Sequence, residues 1–336
     1  MSARLDAYFR QLVRGRAFRG AVLIAQGGTI ILSRGYDAAD RGRGVANTPR
    51  TEFRIGSLTE QFTAAAILQL QDGGKLRVTD RICSYMAHCP KAWNPITVEE
   101  LLVGTAGIPD YLYSSDPTAL STPSSPADLL AALTRRPLDF APGTRVGSAT
   151  SNYLILGFII EKVSRQPYDV YIHDHILKLL GLSRTGYDQA RPHLPEHASG
   201  YVSWDRVSSV AISPQTLYAS GALYSSTEDL FRWDQVLRTG KFLSRKSAAA
   251  MFAVHKAYCP PGCPTGQTMG GAGYAWDIST QGQTRILAWG GFLPGFVSVN
   301  EVYPDRNITI VILANLNSVN VRTVTRACQA ILFGRR

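Results

Sequence analysis

The ends of this chain are β-rich and its middle is not, and that layout restricts the fold more than any single residue. Near the N-terminus, Ala21-Val22-Leu23-Ile24-Ala25 and Thr29-Ile30-Ile31-Leu32 flank Gln26-Gly27-Gly28, which reads as a hairpin turn. Three further runs lie near the other end: Arg285–Trp289, Gly295–Asn300 and Ile308–Leu313. A first helix is expected over 4–16 and a last one over about Ser318 to Leu332. Ser57 to about Gln71 carries Ala, Ile and Leu on nearly all sides, so it reads as a buried helix, stopped by Gly73-Gly74. Val98–Val103 and Tyr153–Ser164 are further helices, and Ser226-Thr-Glu-Asp229 has a capping-box start for one running to about Leu237. Helix, two strands, a helical middle, three strands and a closing helix imply an α+β arrangement. The terminal strands are expected to share one antiparallel sheet in a single domain. One lobe would hold about residues 1–75 and 265–336, and a helical lobe about 76–264, with a small-molecule pocket between them.

Composition excludes little. The net charge is +10, yet the basic residues are scattered, as at Arg41, Arg43, Arg50, Arg135 and Arg136, with no nucleic-acid signature. No nucleic-acid partner is expected. The N-terminus is a charged amphipathic start without the apolar core of a signal peptide. No apolar run reaches the roughly 18 residues that span a bilayer. Hence no membrane partner is expected, and a cytoplasmic location is. The five cysteines, Cys83, Cys89, Cys259, Cys263 and Cys328, are then free thiols. Cys259-Pro-Pro-Gly-Cys263 as a disulfide loop or half a metal site is the alternative. His173-Asp174-His175 and His193-Leu-Pro-Glu-His197 are weak as metal ligands, and no cofactor is expected.

Several motif-bearing stretches follow one another in order. They are Thr51-Glu-Phe-Arg-Ile-Gly-Ser57-Leu-Thr-Glu60, Glu99-Glu-Leu-Leu-Val-Gly-Thr-Ala-Gly-Ile-Pro-Asp-Tyr111, Phe140-Ala-Pro-Gly-Thr-Arg145, Asn152-Tyr-Leu-Ile-Leu-Gly157 and Ser220-Gly-Ala-Leu-Tyr-Ser-Ser-Thr-Glu-Asp-Leu230. From about Phe18 to Asn315 the chain resembles the serine β-lactamase and penicillin-binding-protein superfamily. It is closest to the branch of class C β-lactamases, D-amino-acid peptidases and small esterases. The second stretch is similar to that branch's "HLLTHTSGIPDY" pattern. The resemblance implies a β-lactamase/transpeptidase-like fold with Ser57 in the nucleophile's place.

It also shows three altered catalytic motifs. The family carries Ser-x-x-Lys, whose lysine activates the serine; here that position is Glu60. The family's Tyr-x-Asn falls on Ser148-Ala149-Thr150, so the tyrosine is replaced by serine. The family's Lys-Thr-Gly or His-x-Gly is Trp289-Gly290-Gly291. The resemblance places an oxyanion hole at the backbone amides of Ser57 and Phe292.

A serine hydroxyl is a poor nucleophile without a base. Glu60 lies one turn after Ser57, in the lost lysine's place, and is a weak base unless burial raises its pKa. Ser57-x-x-Glu60 also has the spacing of a capping box, which would contribute about 1 kcal/mol and no chemistry. Trp289 either fills lost volume or forms a flat wall for a ligand. Tyr111, Tyr218, Trp276 and Phe292 are expected to border the same cleft, with the Ser148 and Thr150 hydroxyls. Such a pocket suits an uncharged or cationic, aromatic or apolar small molecule.

Three functions stay open. One is a repurposed enzyme using Glu60 as acid or base on a non-β-lactam molecule, in a cyclisation, isomerisation, elimination or hydrolysis, with natural-product biosynthesis as a home by analogy. Another is an inactive homologue that binds a ligand or partner. The third is a weak serine esterase or peptidase using Ser57. A buried Glu60 favours the first, a solvent-open Glu60 locked in a cap the second.

Overall fold

The computed structural model describes residues 1–112, 124–148, 150–188, 196–208, 213–258 and 270–334. Both chain termini feed one eight-stranded antiparallel sheet. Its order runs Lys256–Ala257, Gly271–Ala272, Asp277–Gln281, Thr284–Leu293, Phe296–Tyr303, Ile308–Ala314, Gly20–Gln26, Thr29–Tyr36. The N-terminal hairpin is closed by Gly27 and Gly28, both at positive φ (60° and 80°), which side chains other than glycine adopt poorly. Its first strand pairs with the last strand of the chain, from Gly20 opposite Ala314 to Gln26 opposite Ile308. The expected union of the two ends is thus formed in this register.

Strand alternation divides the core in two. Val22 and Ile24 point to one face, where Leu5 and Phe9 of the helix Ser2–Arg14 and Val324, Cys328 and Leu332 of the helix Val321–Phe333 cover them. Ala21, Leu23 and Ala25 point to the other face and join the larger core of the helical middle. Helices therefore cover the sheet on both sides, and every residue of Phe296–Tyr303 and Ile308–Ala314 is buried.

The helix Thr59–Asp72 occupies the centre of the larger core. Residues 59 to 68 are all buried, and Gly73 follows the last residue. Its neighbours are the helix Thr150–Ser164 and the segment Pro214–Gly221. That segment breaks at Tyr218, whose φ of 41° and ψ of −129° interrupt the helix. The Thr59 hydroxyl accepts from the Leu223 amide (3.1 Å), and the Thr63 hydroxyl donates to the Ala219 carbonyl (2.7 Å). The two bonds fix Ala219 and the following Leu223 against the central helix.

One cysteine reading is corrected. Cys83 and Cys89 form a disulfide, with Cα atoms 5.3 Å apart. A six-residue separation in a loop of 3₁₀ turns brings them within bonding range, which spacing alone did not reveal. Cys328 is a free thiol in the core, pushed up to about 12 by burial. Cys259 and Cys263 lie outside the described residues. No helix among the described residues is long and apolar enough to cross a membrane.

Candidate active site

Ser57 lies in a 3₁₀ turn, Gly56–Leu58, immediately before the central helix. Gly56 has φ +53°, and a Cβ there would stand 3.0 Å from the Phe292 amide nitrogen. Across the contact, a Cβ at Gly291 would stand 2.0 Å from the Ile55 carbonyl oxygen and 2.8 Å from the Ser57 amide nitrogen. The strand Thr284–Leu293 therefore lies flush against the Ser57 turn, and only glycine fits at 291. Ser298, opposite Gly291 in the next strand, donates its hydroxyl to the Ile55 carbonyl (2.8 Å) and ties the turn to the sheet. The Ser57 and Phe292 amides flank this contact, the two donors that the family resemblance assigns to an oxyanion hole.

The capping box between Ser57 and Glu60 is not formed. The central helix has no side-chain cap; its N-cap is Leu58. A capping residue needs an extended backbone, whereas Ser57 sits inside a helical turn between Ile55 (φ −99°, ψ −3°) and Thr59 (φ −51°, ψ −35°).

Freed from capping, the Glu60 carboxyl is buried, at 1% exposure. Its Oε2 has no hydrogen-bond partner among the described residues. No cationic side chain among them lies within 4 Å of it. Burial pushes its pKa well above the ordinary 4.5; the Trp289 N–H opposes that shift and the Asp110 charge adds to it. The Trp289 indole N–H also donates to the Ser57 carbonyl (3.0 Å), so this tryptophan bridges the two candidate groups.

Three buried tyrosines surround this carboxyl closely enough to feel its charge. They are Tyr111, Tyr153 and Tyr168, all pushed above the ordinary tyrosine value, chiefly by burial. Each is held elsewhere: Tyr111 donates to the Thr216 carbonyl (2.7 Å), Tyr153 to the Leu102 carbonyl (3.0 Å), and Tyr168 meets the Thr63 hydroxyl (2.6 Å). Tyr153 and Tyr168 were missed from the sequence. The polar-apolar pattern marks them as core, and only the packing of the helices Thr150–Ser164 and Tyr168–Ile172 on the central helix brings them near Glu60.

Several expected wall residues are placed otherwise. Phe292 is 54% exposed. Strand alternation sends its side chain to the opposite sheet face, beside its cross-strand partner Val297, so only its amide reaches the Ser57 side. Trp276 is a core residue packed edge-on against Phe252 (5.5 Å). Tyr218 is buried against Phe158 and Tyr168 and turns its hydroxyl toward Glu161. Thr150 is buried at the start of its helix, while Ser148 is exposed and its carbonyl accepts from the Asn152 amide (3.0 Å). Ala149 lies outside the described residues. Ser57, Glu60, Trp289 and the Phe292 amide come together, with Tyr111 close by.

The histidine pairs are engaged separately. His173 meets Asp174 (2.8 Å), His175 meets Gln166 (2.8 Å), and His197 lies 2.7 Å from Glu52. His193 lies outside the described residues. A cavity of about 800 Å³ bordered by His173, Tyr187, His197 and Tyr224 touches neither Ser57 nor Glu60. It holds none of the motif residues.

Comparison with known proteins bears on the family and the fold. The chain is 29% identical over 322 residues to the putative penicillin-binding protein PbpX of Bacillus subtilis (strain 168), covering 94% of this chain and 74% of PbpX. It is 29% identical over 313 residues to protein flp of Staphylococcus aureus (strain MW2), covering 91% of this chain but only 61% of flp. Among solved structures, the octameric penicillin-binding protein homologue from Pyrococcus abyssi superposes with a TM-score of 0.85 at 24% identity, covering 99% of this chain and 78% of that one. The D-amino acid amidase from Ochrobactrum anthropi SV3, complexed with L-phenylalanine, gives 0.85 at 19% identity and covers 100% of both chains. These two likenesses establish the β-lactamase/transpeptidase-like fold. Residues 5–332 match the Beta-lactamase family profile, and with the serine turn, the glycine contact and the terminal sheet in place, the chain belongs to the beta-lactamase family.

Proposed function

We propose that this chain uses the β-lactamase scaffold as an acid/base site for a small molecule other than a β-lactam, with Glu60 as the proton-transferring group. The buried carboxyl, with Oε2 unpartnered among the described residues and the Trp289 N–H as its neighbour, carries this reading. A solvated or capped Glu60 would be an ordinary helix residue. A desolvated one holds its proton toward neutral pH and can both give and take it, which suits general acid/base work. Ser57, with no lysine, tyrosine or histidine beside it at the motif positions, serves as a hydrogen-bonding group. Trp289 forms a flat wall and, with its N–H on the Ser57 carbonyl, sets the spacing between the two groups. An uncharged or cationic, aromatic or apolar substrate fits that wall better than an anion, and a step in natural-product biosynthesis is the setting we favour by analogy.

The experiment is a pair of substitutions, Glu60→Gln and Ser57→Ala, assayed on a substrate found by metabolite co-purification. Loss with Glu60→Gln and retention with Ser57→Ala supports the reading. The reverse pattern sinks it in favour of serine catalysis.

The retained amides of Ser57 and Phe292 favour one second reading, a weak esterase or peptidase that acylates Ser57. A fluorescent penicillin tests it, since stoichiometric labelling lost in Ser57→Ala would support acylation. On location, the Cys83–Cys89 disulfide weighs toward an oxidising compartment, because a reducing cytoplasm would leave that pair open.

A further inference from the structure

A separate cavity of about 410 Å³ lies where the end of the helix Thr227–Thr239, the helix Arg245–Met251 and the strand Thr284–Leu293 meet. Its volume falls in the range of small-molecule sites. Three guanidinium groups line it, Arg238, Arg245 and Arg285, and no carboxylate does. None of the three forms an ion pair within 4 Å among the described residues, although eight other arginines of the chain do. Their guanidinium hydrogen bonds go to neutral groups, Arg238 to the Asn307 side-chain oxygen (2.8 Å) and Arg285 to the Phe252 carbonyl, while the Asp305 carboxylate accepts from the Arg285 backbone amide (2.9 Å). The Arg238 Nη1 is buried with no partner among the described residues. Asp234, which feels the Arg238 charge, forms no ion pair with it; it accepts from the Asn300 amide instead (2.7 Å).

Three like charges lining one cavity with no carboxylate in its wall repel one another, and guanidinium forks match phosphate and carboxylate oxygens. Apart from Thr239, the rest of the wall carries no polar side chain, with Leu237, Phe252 and Leu287 prominent. We propose that this cavity binds an organic anion, with a phosphate or carboxylate head on the three arginines and an apolar body against Leu237, Phe252 and Leu287. The site is independent of Glu60. It adjoins it through one strand, because Leu287 stands two residues before Trp289 on the same sheet face.

Phenyl phosphate is the probe, titrated calorimetrically into the full chain, with benzoate and inorganic phosphate beside it. Saturable one-to-one binding of phenyl phosphate is expected, weaker for inorganic phosphate because the apolar wall is unused. Benzoate tests whether a carboxylate head suffices, and its failure to bind would restrict the head to phosphate and overturn the carboxylate half of the proposal. Arg245 is exposed and holds no hydrogen bond among the described residues, so Arg245→Gln leaves folding intact. It should weaken binding about tenfold, the value of one charge-assisted hydrogen bond. Arg285→Gln should do the same, and Glu60→Gln should leave binding unchanged. Absence of saturable binding, or binding indifferent to both arginine substitutions, overturns the site. Binding lost in Glu60→Gln also overturns it by placing the probe in the active site, and equal affinity for inorganic phosphate overturns the apolar half.

Discussion

Two segments of this chain share one pattern and do opposite things with it. Thr97-x-x-Glu100 and Ser57-x-x-Glu60 both place a hydroxyl three residues before a glutamate at the start of a helix. At Thr97 the backbone is extended (φ −101°, ψ 162°) and the box closes. The Thr97 amide donates to the Glu100 carboxylate (2.7 Å), and the Glu100 amide donates to the Thr97 hydroxyl (3.2 Å). At Ser57 a 3₁₀ turn replaces the extended residue, the box stays open, and the carboxyl goes into the core with one oxygen unpartnered. Backbone conformation, not residue spacing, decides which glutamate becomes a cap. Leaving a polar group buried and unpaired costs about 1–3 kcal/mol on mutational scales. Beside a serine turn and a tight glycine contact, such a group is a local cost to stability, and that cost is the ground for the acid/base proposal.

The largest effect should come from breaking that difference at Glu60. Glu60→Gln keeps the shape and removes the titrating proton. Turnover of the co-purified substrate should fall about 10²- to 10⁴-fold, the usual contribution of general acid/base catalysis. Glu100→Gln, the same change at the cap, should leave turnover within about twofold, since a change at a distant cap acts on folding rather than on the chemical step. Steady-state kinetics on the two variants check this, and equal losses would erase the distinction between the segments.

The pH dependence of stability sharpens it next. Glu60 has a raised folded-state pKa, so in the window from the ordinary 4.5 up to that folded value the unfolded chain has released a proton that the folded chain retains. Stability attributable to this group is therefore highest below 4.5 and falls as pH rises through the window. Urea midpoints of the wild type minus those of Glu60→Gln should decline across it. Asp234, raised to about 7, contributes a decline of the same sign, which the subtraction removes. A flat difference would mean that Glu60 is ionised in the folded protein.

How far the sequence discloses this depends on which physical signal each feature uses. The hairpin at Gly27-Gly28 and the terminal strands announce themselves through local alternation and turn chemistry, so their union in one sheet was legible. The cap at Ser226 was legible too, and its hydroxyl accepts from the Asp229 amide (3.2 Å). Ser57, Glu60 and Trp289 were legible as neighbours only through the family resemblance. Four kinds of feature were not legible. The open box at Ser57 depends on backbone angles that a tetrapeptide does not encode. The outward Phe292 depends on strand parity relative to Gly291, and a register error of one residue inverts the face. Trp276 and Tyr218 are aromatic residues whose wall or core role depends on long-range packing. The Cys83–Cys89 pairing likewise needed the fold of the loop.

A smaller effect belongs to the closed box. Thr97→Ala removes an N-cap hydroxyl and should cost about 1 kcal/mol, read as a lowered urea midpoint with an unchanged slope. Glu100→Ala should cost a similar amount, and the double variant less than the sum, because each half of the box depends on the other. Strict additivity would show that the two bonds act separately.

The smallest effect is the most discriminating for the open box. If Ser57 capped the central helix, Ser57→Ala would cost about as much as Thr97→Ala. The structure gives it no capping bond, and its carbonyl, which Trp289 holds at 3.0 Å, survives the substitution. Its stability change should stay within about 0.5 kcal/mol of zero, as for a substitution touching no structural bond. Measured beside Thr97→Ala under the same conditions, the two midpoints should separate by about half a kcal/mol or more. A loss at Ser57 matching that at Thr97 would close the box, return Glu60 to a structural role and remove the ground for acid/base chemistry there.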